Sequence, residues 1–321
     1  MQVAFAARIF LALFALVLAA GARAETLNVA KGGPQSFSFS PADIGLAEGF
    51  FQKRGLDLKL SNFDGATKVH QAMASGDIDI ALASGPDMAF IAKGSPVTTV
   101  AAMAGRPDMM ALVVLAGSPI ASAADLKGKK ISVTSAGSLT NWLAHEVSRQ
   151  QGWGENGVDV EAIGGQTTQI AALRTHQMDA MVMDVTAAYR LEGEGAVHVL
   201  LKFGQIVPSF HMHVIHASNA MIARDPEGVR RFLAAWFETI AFMRAHKDET
   251  VKLSGQVMGV SDALAARTYD EVMPDLSTDG CFDPKAVAVL RRSYVDMGLL
   301  EAEPDMSKIY TEQYLPAPCK R

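Results

Sequence analysis

Hydrophobic and polar positions alternate along this chain in two rhythms that take turns. Short apolar runs of period two or fully apolar character, such as 26–30, 56–61, 78–83 and 97–103, are separated by stretches with helical spacing, such as 42–53 and 66–75. The order then repeats. Residues 65–84 (GATKVHQAMASGDIDIALAS) and 165–184 (GQTTQIAALRTHQMDAMVMD) share one plan at an offset of 100 positions: Gly, Thr two residues on, an amphipathic helix, an Asp, and an apolar strand. Upstream, 55–60 (GLDLKL) corresponds to 157–162 (GVDVEA), and 27–30 (LNVA) to 131–134 (ISVT). The chain therefore contains two βαβαβ units of similar spacing, and the fold class is α/β with parallel or mixed sheets covered on both faces.

The second unit is expected to run as strand 131–134, helix 139–151, strand 158–163, helix 167–176 and strand 179–183, with a further strand at 197–201. Met212–His216 has the pattern of a strand returning to the first unit. From Pro226 onward the pattern is helical, with Phe232, Trp236, Ile240 and Met243 forming one apolar face. Ser40 before Pro41, Ser261, and Asp283 before Pro284 are read as helix N-caps.

Ile9–Ala20 is an unbroken apolar run preceded by Arg8 and followed by Ala22-Arg23-Ala24. It is short for a membrane span and ends in a small-x-small cleavage site, so residues 1–24 are read as a signal peptide and Glu25 as the mature N-terminus. The expected location is the periplasm. The formal charge of −5 becomes −7 once Arg8 and Arg23 are removed. An acidic chain with no basic run is not expected to bind nucleic acid. The two cysteines, Cys281 and Cys319, both lie near the C-terminus. In an oxidising compartment such a pair favours a disulfide over two open thiols.

The segments GLAEGFFQKRGLDLKL (45–60), GDIDIALAS (76–84), DLKGKKISVTSAGS (125–138) and QMDAMVMD (177–184) resemble periplasmic substrate-binding proteins of ABC importers. The nearest group binds nitrate, taurine and other sulfonates, or thiamine pyrimidine precursors. The resemblance covers nearly all of the mature chain and implies the two-lobed, type II periplasmic binding protein fold: two βαβαβ lobes, a two-strand hinge, and a ligand in the cleft. On that basis lobe 1 is expected to comprise residues 25–107 and 215–321, and lobe 2 residues 108–214. The implied partners are a small-molecule ligand and an ABC transporter permease and ATPase. A monomer is expected, with no cofactor.

Helix N-termini expose unpaired N–H groups and the positive end of the helix dipole, which suits an anion such as a sulfonate or carboxylate. Candidate ligand residues are therefore Gly137, Ser138 and Thr140 in the loop opening the helix at 139, and Gln166 and Thr167 at the next helix start. Gly137 is read as allowing close approach of the ligand. Ser138 is equally suited to plain N-capping. In the first unit, Gln35, Phe37 and Ser38 combine an aromatic ring with polar groups, although Phe37 is also suited to its own lobe's core. Ser84 and Asp87 lie at the C-terminal end of a strand, where open α/β sheets place ligands, and Asp184 occupies the matching place. Asp184 fits ligand contact and helix capping equally.

His211, His213 and His216 cannot converge on one ion along a strand, so no metal is expected, while His211 is a candidate ligand contact. No G-x-S-x-G, G-x-x-x-x-G-K-[ST], H-E-x-x-H or C-x-x-C motif is present. The similar eukaryotic pyrimidine synthases use a Lys and a His after the strand matching 78–83, plus a cysteine-rich motif. Ala83 and Asp87 stand at those places here and the cysteine-rich motif is absent, so no enzyme is expected. The alternatives to a transport receptor are a pyrimidine-precursor-binding or synthase-like protein and a sensory receptor without transport.

Overall fold

The structure is a computed structural model that describes residues 24–32, 36–63 and 66–320. The signal peptide expectation and Gln35 fall outside those residues. Two five-stranded sheets form the frame. The first is built from β1 (Glu25–Lys31), β2 (Leu56–Asn62), β3 (Ile80–Ser84) and β4 (Val97–Ala104), with β10 (His213–Ser218) inserted, in the order β2-β1-β3-β10-β4. The second contains β5 (Met110–Leu115), β6 (Lys130–Val133), β7 (Asp159–Ala162), β8 (Ala180–Asp184) and β9 (Val197–Lys202), in the order β7-β6-β8-β5-β9.

The two sheets are topological equivalents. In each, the three strands of the βαβαβ unit run parallel, and the fourth position holds an antiparallel strand. That strand is the one that has just crossed from the other sheet: β5 follows the crossing at 105–109, and β10 follows the crossing at 203–212. His213 sits opposite Ser84, and Met110 opposite Asp184. Both crossings therefore enter at the C-terminal ends of parallel strands, the edge at which open α/β sheets present ligand sites. A boundary between residues 214 and 215 falls inside β10, because His213 and Val214 already pair with β3 and β4.

The helices follow from local sequence. Those between the strands are α1 (Ser40–Ala47), α2 (Ala66–Ser75), α3 (Met88–Ala92), α4 (Leu139–Gln150), α5 (Gln166–Arg174) and α6 (Val185–Gly193). The stretch 42–53, expected as one helix, stops at Ala47. Gly49 takes a left-handed conformation (φ 74°), and a short 3-10 turn at Gln52–Arg54 ends on Gly55 (φ 69°). Ser40 is the first helical residue and not its cap, since its hydroxyl donates back to the Phe37 carbonyl at 2.7 Å.

The C-terminal helices are α7 (Asn219–Arg224), α8 (Pro226–Ala245), α9 (Lys247–Met258), α10 (Asp262–Val272) and α11 (Pro284–Asp296). Ser261 and Asp283 cap α10 and α11 as read. The apolar face of α8 carries Phe232, Trp236, Ile240 and Met243, all at 0% exposure, and Phe232 packs on Phe51 with ring centroids 5.3 Å apart. No helix among the described residues is long and apolar enough to cross a membrane.

Candidate functional site

The loops at the C-terminal edges of the two sheets meet across the crossings. Ser36, between β1 and α1, donates its hydroxyl to Asp184 Oδ2 at 3.2 Å, a bond from one sheet's edge to the other's. Asp184 also caps α6 by accepting the Thr186 N–H at 2.8 Å. Burial raises the Asp184 carboxyl above the ordinary carboxylate range, while the Thr186 N–H and the Ser36 hydroxyl pull it down. Beside the crossings, Glu271 on α10 accepts from Tyr189 of α6 at 3.1 Å and from Lys202 of β9. Arg267 stacks on the Tyr189 ring, 3.3 Å from its centroid, and reaches Glu192 at 3.3 Å. At the first crossing, Arg106 pairs with Asp108 (2.8 Å) and Asp275 (3.4 Å). Burial, and then the neighbouring Asp108 carboxylate, push the Asp275 carboxyl up to about 7.

Many of the residues singled out from sequence are occupied with one another. Ser138 caps α4, accepting from the Asn141 N–H at 3.2 Å. Its hydroxyl also lies 2.9 Å from Thr140 Oγ1, which bonds Thr134 in turn. Gly137 is left-handed (φ 71°), but the side a Cβ would occupy faces Leu299 at 2.5 Å. The segment after α11 thus approaches Gly137 closely on that side. Ser84 and Asp87 form a reciprocal capping box, with Ser84 donating through N (3.1 Å) and Oγ (2.6 Å) to the carboxylate. Burial pushes Asp87 up to about 6 against those two bonds.

Phe37 is buried and packs edge-on against Tyr269 at 6.1 Å, the core role open to it from sequence. Ser38 bonds His213 Nδ1 at 2.8 Å. His211 accepts the Asp283 N–H on Nε2 at 3.0 Å. Burial lowers His211 to about 4 and His213 to about 3, so both are neutral. Thr167 is exposed at the start of α5. The one cluster of three metal-type ligand atoms among the described residues is Cys281, Glu312 and Cys319, and its two sulfurs are joined in a disulfide.

What remains are buried polar atoms that the protein does not satisfy. Such atoms are rare in folded proteins because each costs roughly 1–3 kcal/mol. Seven lie on the elements that form the crossing edge: Trp142 Nε1 in the first turn of α4 and an Arg149 guanidinium nitrogen farther along it, Gln166 Nε2 and Gln169 Oε1 in the first turn of α5, Thr186 Oγ1 at the start of α6, and Ser209 Oγ and His211 Nδ1 in the second crossing. Trp142 is 2% exposed and lies flat on Phe210 of that crossing, with centroids 4.5 Å apart and planes 9° from parallel. Trp142, Thr186 and Ser209 were not singled out from sequence. The available signal was positional: Thr186 follows Asp184 off the strand end, and Ser209 lies within the crossing. A separate surface hollow of about 380 Å³ lies between β7 and α5, lined by Glu161, Thr168 and Met178 among others, and involves none of these groups.

Comparison with known proteins fits this architecture. The chain is 25% identical over 301 residues to the riboflavin-binding protein RibY of Chloroflexus aurantiacus, covering 88% of this chain and 83% of that one. The alkanesulfonate-binding protein SsuA of Xanthomonas axonopodis, solved bound to MOPS, superposes with a TM-score of 0.75 at 16% identity, over 89% of this chain and 98% of SsuA. The desulfurization enzyme DSZB superposes with a TM-score of 0.65 at 16% identity, over 90% and 97% of the two chains. The fold is thus that of the periplasmic binding proteins, on which both receptors and an enzyme are built. The family model described as NMT1/THI5 like matches residues 36–250, two thirds of the chain, and the protein belongs to that family.

Proposed function

We propose that the protein is a periplasmic solute receptor that holds a small polar organic molecule between the two sheets and delivers it to an ABC importer. The observation that carries this reading is the concentration of unsatisfied buried groups on α4, α5, α6 and the second crossing. A solute with matching donors and acceptors would satisfy them, and the Trp142–Phe210 stack offers a flat apolar wall beside them. Contacts to both lobes favour the closed form, which would then dock on a permease and its ATPase. In this reading lobe 1 is the β1–β4 and β10 sheet with the C-terminal helices, and lobe 2 is the β5–β9 sheet. The protein acts without turnover.

Two features bear on the ligand. RibY is named for riboflavin and SsuA for alkanesulfonates, so a planar heterocycle and an anionic sulfonate or carboxylate are both represented among similar proteins. The feature that suits an anion is the N-terminus of α5, opened by Gly165 with no side-chain cap. The test is native mass spectrometry of protein released from the periplasm without dialysis, followed by a thermal-shift screen of sulfonates, aromatic carboxylates, nitrate, pyrimidines and flavins. Specific binding raises the melting temperature by mass action. A protein that carries nothing and responds to no solute is not a receptor of this kind.

A further inference from the structure

The charge lining the crossing edge restricts the solute more narrowly than the fold does. The described segments at that edge are 36–40, 84–88, 105–109, 134–140, 163–168, 184–186 and 202–212, and their Lys and Arg residues are Arg106 and Lys202, the latter paired with Glu271. Arg106 is already held between Asp108 and Asp275. Lys31, at the C-terminal end of β1 and 5% exposed, is paired with Asp43 at 2.9 Å. His211 and His213 are neutral. Two of the three helix N-termini on the second sheet are taken up internally, α4 by the Ser138 hydroxyl and α6 by the Asp184 carboxylate, which leaves α5 opened by Gly165 with no side-chain cap. Among the described residues of this edge, an anion would find no unpaired cation and would approach the half-buried Asp184 carboxylate. Burying a charge without a counter-charge is strongly unfavourable.

The remaining groups suit the opposite partner. Asp184 accepts the Thr186 N–H and the Ser36 hydroxyl, and the Ala187 N–H also pulls its carboxyl down. The Thr186 hydroxyl, 4% exposed, makes no hydrogen bond of good geometry but lies close enough to Asp184 to lower its carboxyl as well. We propose that the site selects a neutral or cationic solute over carboxylates and sulfonates, and that Asp184 is the residue that sets this preference by accepting an N–H or ammonium group. This inference rests on the solute-receptor reading above.

The experiment is a thermal-shift screen of the full protein against a solute library sorted by formal charge, with alkanesulfonates and aromatic carboxylates set beside aminopyrimidines, flavins and amines. Stabilising compounds should be neutral or cationic. For the best of them, titration calorimetry on Asp184→Asn should show affinity reduced by about tenfold or more, the scale of a charge-assisted hydrogen bond. Asn is as good an N-cap as Asp, so α6 keeps its cap in this variant. A sulfonate or carboxylate that binds as tightly as the best neutral compound overturns the inference and leaves the receptor reading intact. So does an Asp184→Asn protein that binds the best compound unchanged. If no compound of any charge stabilises the wild-type protein, the receptor reading fails and takes this inference with it.

Discussion

Removing the disulfide tests how the C-terminal tail contributes to stability. Cys281 and Cys319 are bonded with Cα atoms 5.8 Å apart, closing a segment of 38 residues. β4 is the edge strand of the first sheet, with β10 on its inner side. Along β4, Gly105 N, Ala102 N and Met103 O pair with Asp275 O, Gly280 O and Ser277 N of the stretch just before the bridge at 2.8–3.0 Å. Within the bridged segment, Ile309 and Thr311 bond Thr99 at 3.1 and 2.9 Å. The tail thus covers an edge that would otherwise be open to pairing with another chain. Closing a loop of this length removes about 13 cal/mol/K from the unfolded chain, or about 4 kcal/mol at 25 °C. With an unfolding entropy of about 0.6 kcal/mol/K for a chain of about 300 residues, the Cys281→Ser/Cys319→Ser protein should melt about 6 °C lower. Differential scanning calorimetry of that variant, and of wild type with and without reductant, measures the shift. Limited trypsin digestion should also cut faster at Lys308 once the tail is untied. A melting temperature within 2 °C of wild type would show that the tail is held by Ile309, Tyr314 and Leu315 alone, and the argument from the bridge would be wrong.

Three further outcomes are expected. Gly85→Ala should cost about 3 kcal/mol or more, since its Cβ would lie 1.9 Å from the His211 carbonyl oxygen where β3 meets the second crossing, whereas Gly193→Ala, with open space around it, should change stability by less than about 1 kcal/mol; chemical denaturation of both variants makes the comparison. Acidification should destabilise the fold. Burial lowers His70 and His211 to about 4, His213 to about 3 and His216 well below its ordinary range, so the unfolded chain takes up protons that the folded one refuses as pH falls below about 6.5. Asp87 and Asp275, raised to about 6 and about 7, stabilise the fold in the opposite sense and offset part of this, leaving a net loss; a melting temperature flat or rising from pH 7 to pH 4.5 would contradict it. Trp142→Leu should weaken the solute found by screening by about tenfold through loss of the stacked wall, with calorimetry as the readout and an unchanged affinity as the contrary result.

The sequence by itself carried the frame. The 100-residue repeat, the strands and most helix boundaries are written in short-range alternation of apolar and polar residues, and the caps at Ser138, Asp184, Ser261 and Asp283 are local hydrogen bonds between residues two or three apart. Tertiary structure decided what local spacing does not encode. The antiparallel insertion of β5 and β10 beside strands from another part of the chain sets which edges face each other. The loop at 135–141 reads as a ligand cradle in isolation, and only the packed chain shows Leu299 beside Gly137. Ser38 and His213 satisfy each other across 175 residues, and Ser36 meets Asp184 across 148. The unsatisfied set at Trp142, Thr186 and Ser209 exists only because burial and partner geometry are properties of the packed chain, where a polar atom's cost depends on neighbours distant in sequence.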